Sequence, residues 1–186
     1  PGPDRGVVPQ SYSLFPWLTV QKNVEFGLSL SGVSKAERVR RASHYVNAVG
    51  LTKFRDSYPS QLSGGMKQRV AIARALAVNP EVLLMDEPFG ALDSQTRAVM
   101  QELLLKIWQE ERKTVLFITH DIDEAIFLGD VVYVMSARPG RIMDTIKVGI
   151  ERPRDYTVTT SPAFIEIKKR IMSSLHDEVD KALALD

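Results

Sequence analysis

Two short apolar runs with a helical stretch between them constrain the fold of this chain more than any other feature. Residues 82–85 and 115–118 are continuously apolar, which is typical of strands that are covered on both faces in a parallel sheet. Between them, Val99, Leu103 and Ile107 recur at helical spacing, so a helix is predicted there. A strand, a helix and a strand in this order indicate a βαβ unit and therefore an α/β fold.

The size and charge of the chain exclude several other classes of protein. Its 186 residues are enough to bury a core, and 44% hydrophobic with 25% charged residues excludes disorder, collagen and coiled coil. The 24 Lys and Arg nearly balance the 23 Asp and Glu, so no nucleic acid partner is expected. The lack of cysteine excludes disulfides and Cys-type zinc sites. The longest apolar run, 131–135, is far shorter than the ~20 residues of a membrane span.

The patterns on either side of the βαβ unit are helical or rich in turns. A short apolar piece at 6–10 is typical of the end of a strand, and Thr19 and Ser34 each precede an amphipathic helical pattern that they are suited to cap. Further along, we expect a short helix near 122–128 and a hairpin around the Pro-Gly turn at 138–141. A last amphipathic helix is expected to face inward with Phe164, Ile167, Ile171 and Leu175.

The segment Ser63-Gly64-Gly65 precedes a strong helical pattern at 66–78. The first N–H groups of a helix have no partners inside it and lie at its positive end, so they can bind an anion. Glycine would let a phosphate come close to the backbone there. For these three residues alone, a plain turn with a capping serine is the alternative interpretation.

Two adjacent carboxylates, Asp86 and Glu87, end the first buried strand. Ligands of open α/β sheets bind at the carboxyl ends of the strands. Because consecutive strand residues point to opposite sides, we expect one carboxylate to hold Mg²⁺ and the other to polarise an attacking water. Solvated carboxylates at an exposed strand end are the alternative.

Two further polar residues follow predicted strands. His120 comes after the second apolar strand, and Gln10 follows the short strand near the N-terminus. Parallel strands would bring both residues to the sheet edge that carries Asp86 and Glu87. Taken alone, a histidine in this place is more often a capping or surface residue, and Gln10 is unremarkable.

The order of these motifs resembles that of the ATP-binding cassette (ABC) ATPases along almost the whole chain. Residues 62–70 resemble the ABC signature motif, 82–87 resemble the Walker B motif, and 91–93 are similar to the D-loop. His120 lies in a region similar to the switch histidine, and Gln10 occupies the place of the Q-loop glutamine. Because five motifs follow in this order with agreeing spacing, the chain is identified as a member of this family.

Three shorter segments, at 13–20, 137–142 and 152–155, resemble one subgroup of this family. That subgroup is the bacterial nitrate, sulfonate and taurine importer ATPases. Met66 departs from the Gln that most often follows the signature glycines. The resemblance implies an ATP-hydrolysing subunit that lies peripherally on the cytoplasmic side of the inner or plasma membrane and energises the uptake of a small solute. Its implied partners are a second ATPase subunit, membrane permease subunits and, indirectly, a solute-binding protein. The aromatic Phe15-Pro16-Trp17 segment would face the permease, with core packing as the alternative.

The resemblance also implies that residues 1–186 form a single, partial ABC ATPase domain. Residues 1–10 would end the Q-loop strand, and 11–79 would form a helical subdomain with the signature motif. Residues 80–149 would form the later part of a P-loop NTPase core, and 150–186 a C-terminal helical extension. No G-x-x-x-x-G-K-[ST] motif occurs, so we expect an N-terminally incomplete cassette. A β–P-loop–α unit of about 30 residues would lie upstream, and this chain alone would be inactive.

In this family two cassettes enclose two ATP molecules, and the resemblance implies roles for single residues. Glu87 would polarise the attacking water, His120 would contact the γ-phosphate, and Asp86 and Gln10 would serve Mg²⁺. Across the dimer, signature residues would bind the γ-phosphate and the D-loop aspartate would link the two sites; these residues are Ser63, Gly64, Gly65 and Asp93.

Two other functions stay open at this point. The chain could be a fragment or relic that acts as a non-hydrolysing regulatory or interaction module, in which case its gene would begin near Pro1. It could also be a non-transport ABC ATPase of the kind used in DNA repair or on the ribosome. That class would show a long coiled-coil insertion or a second cassette, and this sequence contains neither.

Overall fold

The computed structural model describes residues 4–183, with side chains described as far as residue 176. The chain divides into two compact units, the first ending at Ile118 and the second beginning at Thr119. Each unit contains its own sheet. Within residues 4–183, no helix is both long and apolar enough to cross a membrane.

The first unit is built on a three-stranded parallel sheet in the order β1-β2-β3. Its strands are β1 (Arg5–Val8), β2 (Val82–Asp86) and β3 (Thr114–Ile118). Val8 lies opposite Met85, so the pairing of β1 with β2 runs to within one residue of the end of β2. The helix α4 (Ser94–Glu111) connects β2 to the parallel neighbour β3. The predicted βαβ unit is therefore confirmed.

Three helices lie between β1 and β2 in the chain: α1 (Val20–Leu30), α2 (Lys35–Ala48) and α3 (Gly64–Ala77). Thr19 and Ser34 cap the first two as predicted, because each side-chain oxygen accepts a hydrogen bond from the N–H three residues on. The predominantly helical character of this part of the chain is confirmed.

Burial in the βαβ unit departs from the sequence pattern in part of α4 and contradicts the expectation that β3 is covered on both faces. Of the three residues whose spacing predicted α4, Ile107 is buried and Val99 is 52% exposed. The other buried residues of α4 are Met100, Gln101, Leu104 and Leu105. Leu116 and Ile118 are each 53% exposed, so β3 is not covered on both faces within this unit. Apolar residues occur around most of α4, so more than one stripe fits the helical spacing and only packing selects between them.

The second unit contains a short helix, a hairpin and a long helix. The helix α5 spans Ile122–Leu128, and β4 (Val131–Met135) pairs antiparallel with β5 (Ile142–Lys147), so the expected short helix and hairpin are confirmed. The last helix, α6, spans Pro162–Leu183. Phe164 and Ile171 on its predicted inner side are buried.

Two arginines donate hydrogen bonds to carbonyl oxygens at the end of α5 and to one that follows β5. Arg154 is 6% exposed, and its guanidinium donates to backbone carbonyls at distances from 2.7 to 3.1 Å. Arg152 donates to a further carbonyl of this group and to Asp130. Burial lowers the pKa of Arg154 to about 10, so it stays charged at neutral pH. The carbonyl oxygens held in this way belong to Ile126, Phe127, Leu128, Gly129 and Ile150.

We expect Arg154→Met to lower the free energy of unfolding by about 3 kcal/mol, because buried carbonyls that now bond a charged donor would lose it. Urea unfolding monitored by circular dichroism measures the change. Arg141→Met, at an exposed arginine between β4 and β5, is the matched control and should leave stability within about 0.5 kcal/mol of wild type. Equal stability of the two variants would contradict a structural role for Arg154.

Candidate functional site

The carboxyl ends of β1 and β2 bring two of the predicted site residues together. Gln10 lies two residues after β1, and Glu87 lies directly after β2. The side-chain amide Nε2 of Gln10 donates to Oε2 of Glu87 at 3.2 Å. The expectation that parallel pairing would bring these two residues to one sheet edge is confirmed. The roles assigned to them stay predictions.

The backbone turns sharply at Glu87. Its N–H still donates to the carbonyl of Ile118 on the neighbouring strand at 2.9 Å, but its φ of 41° is left-handed. For a residue with a side chain this conformation costs on the order of 1–2 kcal/mol, and such strain is concentrated at functional sites. Asp86, the last residue of β2, is exposed. The two carboxylates therefore differ in environment, with Glu87 in the turn and Asp86 on the open end of the strand.

The glycine segment begins a helix, as predicted, but two residues earlier than the pattern indicated. Because α3 begins at Gly64, both glycines lie in its first turn, where backbone N–H groups have no partners within the helix. Ser63 is the N-cap, and its Oγ accepts a hydrogen bond from the N–H of Met66 at 3.3 Å. One segment thus contains both the capping serine and the beginning of a helix whose N–H groups suit an anion.

Close neighbours explain why residues 64 and 65 are glycines. A Cβ atom on Gly64 would lie 2.9 Å from the hydroxyl oxygen of Tyr12, and one on Gly65 would lie 2.6 Å from Cγ2 of Thr96. Real Cβ atoms do not approach other atoms so closely. A side chain at residue 64 or 65 would therefore require the side chain of Tyr12 or of Thr96 to shift.

Asp93 is the N-cap of α4, and it shares a neighbouring residue with the glycine segment. Its Oδ1 accepts a hydrogen bond from the N–H of Thr96 at 3.0 Å. Hydrogen bonds from the side chain and the backbone of Thr96 hold the pKa of Asp93 below its usual value. Because Thr96 also packs on Gly65, Asp93 and the glycine segment share one neighbour.

His120 lies in the second unit, exposed, between the end of β3 and α5. The residue after it, Asp121, is the N-cap of α5, and its Oδ1 accepts from the N–H of Glu124 at 3.1 Å. The role of His120 at a phosphate stays a prediction.

The predicted magnesium ligands are of a suitable chemical type. Mg²⁺ prefers oxygen ligands and is commonly held by one or two carboxylates together with substrate phosphates. Asp86, exposed at the strand end, and the amide oxygen of Gln10 fit that description. Within residues 4–176, no group of three or more His, Asp or Glu side chains could hold a metal by itself.

Three residues that build this site were not found from the sequence: Tyr12, Arg74 and Thr96. Tyr12 and Thr96 stand in segments without an apolar or polar period that would mark them. Arg74 carried a signal, because it is a single charge within a run of apolar residues on α3. A cation on the inner side of a helix requires polar partners, and these are carbonyl oxygens of the segment after Gln10.

The chain is similar to a family of known sequences. The family described as ABC transporter matches residues 2–90. An uncharacterized ABC transporter ATP-binding protein of Methanocaldococcus jannaschii is 58% identical over 98% of this chain and 67% of its own length. The nitrate import ATP-binding protein NrtD of Synechocystis is 54% identical over 94% of the chain and 68% of its own length. The taurine import ATP-binding protein TauB of Rhizobium johnstonii is 51% identical over 97% of the chain and 71% of its own length.

Solved structures show the same likeness. The ATP-binding cassette MJ0796, in a dimer bound to ADP and Pi, is 40% identical with a TM-score of 0.66, over 77% of this chain and 62% of its own. The protein cbiO1 of Clostridium perfringens, part of the ABC transporter complex cbiONQ, is 31% identical with a TM-score of 0.72, over 78% of this chain and 57% of its own. The chain thus spans less than two thirds of these two structures.

These likenesses confirm the predicted α/β fold of the P-loop NTPase type found in ABC ATPases. The curated relatives are 51–58% identical over 94–98% of the chain. The chain belongs to the ATP-binding proteins of the ABC transporter family.

Proposed function

We propose that the intact protein binds and hydrolyses ATP to energise import through an ABC transporter. The hydrogen bond between Gln10 and Glu87, at a strained turn on the carboxyl edge of the sheet, is the observation that carries this proposal. A carboxylate in that place can act on a water that attacks a phosphate. The names of relatives, which are nitrate and taurine import proteins, support nitrate, sulfonate, taurine or a similar small solute as cargo.

Glu87 is the residue that acts on the attacking water. Its Oε2 accepts a hydrogen bond from Gln10, which orients the carboxylate, and the left-handed turn brings the side chain out of the strand alternation. The water oxygen bonds to the γ-phosphorus while one of its protons passes to the Glu87 carboxylate and from there to solvent, and the bond from the γ-phosphorus to the bridging oxygen breaks to release ADP and phosphate. Bound Mg²⁺, held by Asp86 and Gln10, would neutralise the phosphate charge. His120 contacts the γ-phosphate in this proposal.

The start of α3 supplies the second half of a nucleotide site in a partner cassette. N–H groups of the first turn that have no partner within the helix suit the γ-phosphate. Gly64 and Gly65 lie in that turn, and Ser63 is its N-cap. Asp93 links the two sites, because it shares Thr96 with Gly65. The dimer of MJ0796 with ADP and Pi supports this arrangement by analogy.

The same proposal covers the domain and its partners. Residues 1–186 act as part of one ABC ATPase domain that docks on permease subunits at the cytoplasmic face of the inner membrane, with a solute-binding protein acting through the permease. The assembly of cbiO1 in the cbiONQ transporter complex supports the permease contact.

We expect Glu87→Gln in the intact protein to lower the rate of ATP hydrolysis by about 10²–10³-fold while ATP still binds, because the amide keeps the shape of the side chain and loses its charge. Phosphate release and binding of a fluorescent ATP analogue measure the two effects. Glu81→Gln, at the exposed residue before β2, is the matched control and should hydrolyse ATP normally. Near-normal turnover in Glu87→Gln would refute the role of Glu87.

A second experiment separates packing from phosphate binding at Gly65. Gly65→Ala alone should destabilise the protein by about 1–3 kcal/mol, because the new methyl group overlaps Cγ2 of Thr96. Thr96→Ser removes that methyl group and keeps the hydroxyl. The double variant should regain stability in thermal unfolding and remain defective in ATP-dependent dimerisation and hydrolysis. If the double variant recovered full hydrolysis, Gly65 would serve packing only.

A further inference from the structure

Arg74 connects α3 to the segment between β1 and α1. Its Nη1 donates to the carbonyl oxygen of Ser13 at 2.6 Å, and its Nη2 donates to that of Tyr12 at 3.5 Å. Its Cζ lies 5.6 Å from the centroid of the Phe15 ring, within the range of a cation–π interaction. One guanidinium therefore contacts three residues of a segment that lies outside every helix and strand.

The held segment has an irregular backbone. Ser13 has a left-handed φ of 45°, which costs energy for a residue with a side chain. At its far end, the N–H of Phe15 donates to Oδ1 of the buried Asn23 on α1 at 2.9 Å. The segment thus keeps its path through side chains of two helices, Arg74 on α3 and Asn23 on α1.

The same segment contacts both parts of the candidate site. Gln10, at its start, donates to Glu87. The Tyr12 hydroxyl lies against Gly64 in the first turn of α3, so closely that a Cβ atom there would be 2.9 Å away. Arg74 stands on that helix about 15 Å beyond Gly64, from a rise of 1.5 Å per residue. The segment therefore contacts α3 at two positions, Gly64 and Arg74.

We propose that Arg74 is a positioning residue that holds the 10–15 segment on α3, so that Gln10 stays at Glu87 and Tyr12 stays at Gly64. The consequence for turnover rests on the proposed function, because it requires that Gln10 and Glu87 act in ATP hydrolysis. The contacts of Arg74 with the segment do not depend on that function.

The chemistry of the contact favours arginine over lysine. A planar guanidinium can donate to two carbonyl oxygens and stack on an aromatic ring at the same time, whereas an ammonium acts as a compact point charge. Burial lowers the pKa of Arg74, which marks the cost of removing its charge from water. Hydrogen bonds to a charged donor offset that cost.

Amide hydrogen exchange in the nucleotide-free intact protein tests the hold directly. In Arg74→Met we expect amides 11–15 to exchange about tenfold faster or more, and in Arg74→Lys we expect an intermediate rate. Arg112→Met is the matched control, because it also removes an arginine that lies over an aromatic ring, that of Trp108, at 5.3 Å. Exchange at 11–15 that is the same in Arg74→Met and wild type would overturn the proposal.

Steady-state ATP hydrolysis tests the consequence. We expect Arg74→Met to lower kcat about tenfold while KM changes within about twofold, with partial recovery in Arg74→Lys and none lost in Arg112→Met. In a Gln10→Ala background, Arg74→Met should cause a smaller loss than in the wild-type background, because one of the two residues that it positions is already absent. Losses that multiply would overturn the proposal.

The outcomes separate this inference from the proposed function. A wild-type protein that hydrolyses no ATP would refute the proposed function. The exchange rates of amides 11–15 would still show whether Arg74 holds the segment. If Arg74→Met does not fold, Arg74→Lys keeps the charge and gives the same two readouts, with unchanged exchange and unchanged kcat as the overturning result.

Discussion

The parallel pairing of β1 with β2 is the interaction on which the rest of the first unit depends. The two strands lie more than seventy residues apart in the chain, and three helices are folded between them. Gly6 makes the close packing possible, because a Cβ atom there would lie 2.9 Å from Leu83 and 3.0 Å from Pro80. Since the pairing reaches Val8 and Met85, the chain leaves both strands at the same edge, and the contact of Gln10 with Glu87 follows from it.

The helix α3 is the second organising element. Its first turn carries the glycines, which touch Tyr12 on one side and Thr96 on the other. Its later turns bury Ala73 and Leu76 in the core, while Arg74 reaches out to the segment after Gln10. A single rigid helix thus carries the first turn that is proposed to bind phosphate. Through Arg74, the same helix also contacts the segment that begins at Gln10 in the other part of the site. Both functions need atoms placed within a fraction of an ångström, and the helix backbone supplies that rigidity.

Much of the local structure could be predicted because it depends on residues close in the chain. Thr19 and Ser34 act as the predicted caps, and each accepts a hydrogen bond from the backbone N–H three residues on. Ser63 and Asp93 cap their helices in the same way, although capping was only the alternative interpretation for Ser63 and was not predicted for Asp93. Burial was harder to predict. Val99 fits the helical spacing and is nevertheless exposed. Apolar residues occur on several sides of α4, and the neighbouring elements pack against a different side. The buried partners of Arg74 and Arg154 are carbonyl oxygens, which carry no side-chain signal in a sequence.

The sequence by itself determined the order of the main helices and strands, the caps of α1 and α2 and the motifs that identify the family, because these depend on short-range spacing and residue type. Only the tertiary structure decided which distant groups meet. The approach of Tyr12 to Gly64 and the reach of Arg74 to Ser13 join residues fifty or more positions apart. Such contacts arise when strand pairing and helix packing close long loops, and no local pattern encodes where those loops end.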